Sequence, residues 1–245
     1  MRNIKLVLEY DGSRFFGFQR QPRRRTVQEI LENALTRFFD RKTKISAASS
    51  RTDTGVHADY QVVNFLTPSP RSIGQIQKGL NALLPVDVAV KEVAEVPADF
   101  HSRYQVRSKI YEYRVWNHPV RSPLHAHQAC HIPYRLSLSR MRQGAKLLTG
   151  RHDFSSFCAA HGSAKDRVRN IKSFRIIKRG FLILFQIEAE GFLYHMARNL
   201  VGALIELGRG RLTVNQLQVI LKKRDRRSAP STAPACGLTL LSVSY

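Results

Sequence analysis

The densest chemistry in this chain lies in Ser49-Ser50-Arg51-Thr52-Asp53-Thr54-Gly55-Val56-His57-Ala58. Arg51 and Asp53 stand two residues apart, and in extended backbone that spacing sends both side chains to one side. Gly55 lets the chain turn sharply after them. A carboxylate beside its own guanidinium stays ionised, which suits a nucleophile or a general base. The same ten residues also fit a surface Asx-turn with Arg51 paired across it. The choice between these readings therefore falls to the rest of the chain.

A second charged group sits in apolar company. His195-Met196-Ala197-Arg198-Asn199 lies among Phe192, Leu193, Leu200, Val201 and Leu204, where the spacing predicts a long helix from Phe192 to Leu207. A buried unmatched guanidinium costs several kcal/mol, so Arg198 calls for an anion, and Asp53 is the candidate partner.

Two stretches mix aromatics with cations. Glu9 to Gln21 carries Arg14, Phe15, Phe16 and Phe18 and runs into Pro22-Arg23-Arg24-Arg25; Phe100-His101-Ser102-Arg103-Tyr104 repeats the mixture. Aromatic rings stack on unpaired bases and arginines take phosphates, although a packed turn with a solvated charge run has the same composition. Tyr111 and Tyr113 share one face of a strand, a placement that serves core packing as readily as catalysis. His125, His127, Cys130 and His131 cluster locally but lack a matching second pair of ligands, so no metal is expected there.

The elements that must hold these residues follow from periodicity and punctuation. Asn3 to Glu9 reads as a strand. Thr26 to Phe38 reads as a helix, with Thr26 and Glu29 as a capping box and Val27, Ile30, Leu31, Ala34, Leu35 and Phe38 on one face. Strands at about 44–49 and 59–66 flank the Asp53 loop, and a helix at 72–83 and a strand at 86–94 complete β-α-β-β-α-β. The order recurs: a strand from Lys109 to Trp116, a helix capped by Ser139 and running to Leu148, a hairpin of Ile171–Lys178 and Phe181–Glu190 turned at Arg179-Gly180, the long helix, a short helix from Thr213 to Lys223, and a last strand from Leu238 to Ser244. The expectation is an α+β protein of two ferredoxin-like (split βαβ) units related by pseudo-symmetry. The first covers 1–100; the second covers 101–245 and carries insertions at about 117–135 and 151–168. Their mainly antiparallel sheets would join around a central basic cleft.

Composition narrows the partner. The 245 residues include 40 Lys and Arg against 18 Asp and Glu, a net charge of +22. Residues 1–100 carry 15 basic and 11 acidic side chains, and residues 101–245 carry 25 and 7. Self-repulsion of this size opposes compaction, and a phosphate backbone is the economical explanation. No apolar run approaches the roughly 20 residues of a spanning helix, so a membrane partner is not expected. Three widely spaced cysteines, Cys130, Cys158 and Cys236, fit a reducing cytoplasm better than a disulfide framework.

At these motifs the chain resembles the tRNA pseudouridine synthases of the TruA family. Glu9 to Gln21 resembles the family's Tyr-Asp-Gly…Gly-Trp-Gln-x-Gln opening, with Phe18 in place of tryptophan. Ser50 to Ala58 resembles its Gly-Arg-Thr-Asp-Ala-Gly-Val-His-Ala block, with Ser50 and Thr54 as the departures. Phe100 to Arg103, Lys109 to Tyr113, Asp153 to Phe157 and Phe192 to Gly202 match in order. The resemblance implies that Asp53 is the nucleophile and that Arg51 helps draw out the target uridine. It also implies that Tyr111 packs on the flipped base and handles a proton, and that Arg198 pairs with Asp53. It places tRNA contacts at Arg71, at Phe100, His101, Ser102, Arg103 and Tyr104, and at His161, Gly162, Ser163, Ala164 and Lys165, with Arg14, Arg23, Arg24 and Arg25 as further RNA-binding candidates. A homodimer acting in the cytoplasm on uridines 38 to 40 of the anticodon stem-loop, without metal or organic cofactor, completes what it implies.

Isomerising uridine needs no redox partner or energy source, which suits a chain with no P-loop or dinucleotide fingerprint. An aspartate could attack C1′, add to C6 of the uracil, or remove a ribose proton to give a glycal, and these routes stay open. Two rivals stand beside this reading. One is a non-catalytic RNA-binding protein of tandem ferredoxin-like units, for which the RNA-recognition consensus is missing. The other is a metal-dependent nuclease, poorly supplied by so few acids.

Overall fold

In a computed structural model, which describes residues 1–160 and 164–245, the first strand, β1 (Arg2–Tyr10), is paired on both edges. Ile4, Leu6, Val7, Leu8 and Tyr10 are all buried while Lys5 is half-buried and Glu9 exposed, so one face of the strand lies on the core. α1 (Val27–Phe39) starts where Thr26 Oγ1 accepts the Glu29 N–H, ends at Asp40 in the left-handed region, and buries Val27, Leu31, Ala34 and Leu35. β2 (Ala47–Ala48) is short, β3 (His57–Thr67) is long, α2 (Ile73–Leu83) opens on a Ser72/Gln75 capping box, and β4 (Val88–Val96) closes the set.

The sheet order is β4-β1-β3, with β2 added on β3 and every one of these pairs antiparallel. This is the split βαβ arrangement that the element order predicts. The second strand contracts from the expected 44–49 to two residues, because only Ala47 and Ala48 find ladder partners, Asn64 and Val63.

The chain divides into two compact units, Met1–Arg107 with Thr239–Tyr245, and Ser108–Leu238. In the second, β5 (Ser108–Trp116) carries the two-residue β6 (Cys130–His131) on one edge; α3 (Leu138–Leu148) and β7 (Gly150–Asp153) precede a hairpin of β8 (Val168–Arg179) and β9 (Leu182–Ala189). The order β5-β9-β8-β7 is antiparallel throughout. α4 (Met196–Gly208) and α5 (Val214–Lys223) follow. The last strand, β10 (Leu238–Ser244), lies beside β3 in parallel through Thr239 to His57 and Leu240 to Ala58, so all but its first residue belongs to the first unit. Strand pattern alone allots it to the second half, since pattern carries no information about pairing partner.

Two helix starts differ from the periodicity. α3 is capped by Ser137, whose Oγ accepts the Arg140 N–H at 3.4 Å, because Ser-Leu-Ser offers two caps and the earlier one is used. α4 begins at Met196 instead of Phe192: His195 adopts φ 59°, in the left-handed region, and stops the helix from extending backward. The apolar residues Phe192 and Leu193 serve packing before the helix starts. Among the described residues no helix is long and apolar enough to cross a membrane.

Candidate active site

The Asp53 loop leaves β2 and enters β3, and it is tied on its inner side by three segments. Ser49 Oγ contacts Gln61 Oε1 at 2.9 Å, and the Gln61 amide donates to the Ser50 carbonyl. The Phe18 N–H donates to the Thr52 carbonyl at 3.0 Å, and the Gly55 N–H to the Phe15 carbonyl at 3.2 Å. Gly55 itself has φ +77°, the sharp turn its residue type announces. The Val56 N–H returns to the Asp53 carbonyl at 3.1 Å, and the Gly12 N–H donates to His57 Nδ1 at 3.1 Å, with Asp11 Oδ1 also 3.1 Å from that nitrogen.

Burial along the loop alternates. Arg51 is exposed, Thr52 is buried and Asp53 is half-buried, so the guanidinium and the carboxylate leave on the side opposite to Thr52. This arrangement offers a half-buried carboxylate on a braced loop, two residues from an exposed cation, and such a carboxylate can attack an electrophilic carbon or take a proton.

The aromatic and basic segments have separate fates. Phe15 and Phe18 are buried; Arg14, Arg23 and Arg24 are exposed, and Arg24 lies 4.5 Å from the centroid of Phe16. Arg25 stacks at 4.1 Å on Phe15 and makes two bonds to the Asp87 carboxylate, at 2.8 and 2.9 Å. Its fork is occupied within the fold. Arg71 is exposed with its guanidinium 4.3 Å from the Phe38 ring.

In the 100–104 segment, Phe100 packs on Tyr245 at 5.0 Å, Ser102 is fully buried, and the His101 and Tyr104 rings stack at 4.3 Å with Arg103 at 5.5 Å from the Tyr104 centroid. Tyr104 is 75% exposed, so this stack faces solvent. Ala164 is half-buried and Lys165 exposed; His161, Gly162 and Ser163 lie outside the described residues.

In the second unit, Tyr111 is buried on β5 with its ring edge-on to Phe192 at 4.9 Å. Tyr113, two residues on, is wholly buried; its hydroxyl donates to the Pro234 carbonyl at 2.8 Å, and burial raises its pKa far above the ordinary tyrosine range. Arg198 is half-buried in the first turn of α4. Its Nε donates to the Ala233 carbonyl at 2.8 Å and its own carbonyl accepts the Ala233 N–H at 3.2 Å, so the 228–236 loop fixes the guanidinium's direction. Burial raises the Cys130 and Cys236 thiols above the ordinary range, which keeps them neutral. His125 packs on Trp116, and His131 Nε2 meets the His118 carbonyl at 2.8 Å.

The sequence profile described as tRNA pseudouridine synthase matches residues 6–105 and 145–245, which takes in the Asp53 loop and α4. The chain belongs to that family. Three relatives, each called tRNA pseudouridine synthase A, match at full length. The one from Geobacillus kaustophilus is 43% identical over 245 residues, covering all of this chain and 95% of that protein. The one from Acetivibrio thermocellus is 40% identical over 245 residues, covering both chains entirely. The one from Chromobacterium violaceum is 43% identical over 242 residues, covering 99% of this chain and 92% of that protein. A solved structure of a Cbf5-Nop10-Gar1 complex aligns at TM-score 0.38 and 14% identity, over 82% of this chain and 45% of that one, too distant a likeness to bear on the site.

Within this synthase family member, reasoning from residue types alone overlooks the side chains that brace the site. Gln61 and His57 are buried and both grip the loop or its neighbour. Asn199 is fully buried, donates to the Phe157 carbonyl at 2.7 Å, and accepts from Arg226 and Thr232. For His57 the available signal was a polar residue between two buried apolar neighbours, Val56 and Ala58.

Proposed function

We propose that this chain isomerises uridine to pseudouridine in the anticodon stem-loop of tRNA, at positions 38 to 40, with Asp53 as the nucleophile. The observation that carries the reading is the Asp53 loop: a half-buried carboxylate between a buried threonine and an exposed arginine's reach, inside the residues matched to the family. Relatives named tRNA pseudouridine synthase A at about 40% identity over the full chain support the substrate class.

The reaction breaks the C1′–N1 bond, turns the uracil, and joins C5 to C1′. N1 gains a proton and C5 loses one, so atoms and electrons balance without a co-reactant. A uracil inside a stem is out of reach, so the nucleotide must swing out, and exposed Arg51 is suited to filling the gap it leaves. Tyr111 would lie against the extruded base. Arg198, half-buried and oriented by the Ala233 carbonyl, would pair with the Asp53 carboxylate. The platform of His101 and Tyr104, with Arg14, Arg23, Arg24 and Arg71, would hold the stem-loop and the tRNA body. A homodimer in the cytoplasm is part of the same reading.

The test is unmodified tRNA carrying tritium at uracil C5. Wild-type protein releases label, and Asp53→Asn and Arg198→Ala do not, while circular dichroism shows the fold of each largely intact. Label release by Asp53→Asn would overturn the nucleophile assignment under all three chemical routes. Light scattering during size-exclusion chromatography reads the dimer; a mass of 28.0 kDa would exclude it.

A further inference from the structure

Tyr10 ends β1 and Thr52 lies 42 residues later, yet their hydroxyl oxygens are 2.7 Å apart and both side chains are buried. The Tyr10 end is rigid. It is paired with Ala58 of β3 on one edge and Val88 of β4 on the other, and its ring lies 6.5 Å from that of buried Phe18. The Thr52 end lies in irregular backbone: residues 50–53 belong to no strand or helix, and the Thr52 carbonyl is held by the Phe18 N–H. Of residues 51–55, Thr52 is the buried one, so its side chain sets how the loop is rolled about its own axis. Arg51 and Asp53 swing with that roll.

We propose that Tyr10 and Thr52 are positioning residues that hold the Asp53 carboxylate at its reacting angle through their shared hydrogen bond. The inference rests on the reading of Asp53 as nucleophile. A carboxylate oxygen stands about 3 Å from its backbone, so a roll of about 20° moves it by about 1 Å, a displacement worth up to about a hundredfold in rate. Stability alone gives little reason for the pair. Two hydroxyls buried against each other add little net stability, and an apolar pair of the same shape can do as well. A directional bond between a sheet and an irregular loop fixes orientation, which apolar contact does not.

The experiment uses Tyr10→Phe, Thr52→Val, their combination and Thr52→Ser, with tritium release giving kcat and KM for tRNA. The expected result is a fall in kcat of about tenfold for Tyr10→Phe and for Thr52→Val, KM within about twofold of wild type, and no further fall in the double variant. Thr52→Ser, which keeps the hydroxyl, stays within about twofold of wild type. Wild-type kcat in both single variants, a loss confined to KM, or additive losses in the double variant would overturn the proposal. If Tyr10→Phe does not fold, Thr52→Val against Thr52→Ser decides by the same kcat criterion. Asp53→Asn runs alongside: activity there removes the nucleophile reading itself, whereas an inactive Asp53→Asn with a fully active Tyr10→Phe removes only this inference.

Discussion

Residues 10–25 and residues 100–104 both interleave aromatics with cations, and the fold buries much of the first while leaving Tyr104 of the second in solvent. In the first, Phe15 and Phe18 are buried, Arg25 is bound to Asp87, and Gly17 lies against the Thr52 carbonyl, so the segment clamps the Asp53 loop from below. In the second, His101 and Tyr104 stack in the open beside Arg103. Composition identifies candidates for nucleic-acid contact. Burial separates the residues that support a site from those that touch a ligand, because a guanidinium already holding a carboxylate has lost most of what it could offer a phosphate.

That contrast can be broken by substitution. The largest effect belongs to Gly17→Ala. Gly17 has φ +84°, and a Cβ there would stand 2.7 Å from the Thr52 oxygen. Urea denaturation should register a loss of about 1–3 kcal/mol, accompanied by collapse of label release, since the loop must shift to make room. An alanine variant with wild-type stability would mean that the 10–25 segment is no clamp.

Tyr104→Ala comes next and should leave the melting temperature alone. Loss of one base stack weakens tRNA binding by about 1–3 kcal/mol, read by filter binding at fixed salt. Unchanged affinity would strip the 100–104 stack of its role as a platform.

Arg25→Ala should behave the other way round. The ion pair is part-exposed, so truncation costs about 1 kcal/mol or less of stability, and the slope of log affinity against log salt stays put. Arg24→Ala gives the smallest and cleanest signal: an unshifted melting curve and a salt slope reduced by about one phosphate contact, roughly 0.7 to 0.9. If Arg25→Ala changed the slope and Arg24→Ala changed the melting curve, the two residues would have to exchange roles.

Much of the fold can be read from local signals, each with its physical reason. Thr26 with Glu29 marks the start of α1, Arg179-Gly180 turns the β8–β9 hairpin, and the strand-helix order predicts the split βαβ sheet of the first unit. Such signals work because caps, turns and amphipathic faces are satisfied by residues a few positions apart. They fail where the deciding contact is distant. The apolar run from Phe192 looks helical, but Phe192 packs on Tyr111, 81 positions earlier, and His195 takes a left-handed turn. The strand at 44–49 shortens to a two-residue ladder, Ala47 with Asn64 and Ala48 with Val63, flanked by single bonds from Ser46 and Ser49 to β3. Thr52 looks incidental beside Arg51 and Asp53 until Tyr10 is found against it.

Residue order alone points to Arg51 and Asp53 as the candidate pair, to a polyanionic partner through a net charge of +22, and to the order of elements. These depend on side-chain chemistry and short-range periodicity, which any reader of the chain can see. Only the folded molecule decides that Thr52 faces inward so that Asp53 faces outward, that Arg25 is held by Asp87 while Tyr104 stands in solvent, and that β10 returns to lie beside β3. Thr52 against Tyr10, Arg25 against Asp87 and β10 beside β3 are contacts between residues tens of positions apart, and such contacts are selected by the free energy of the whole packed core instead of by any local stretch.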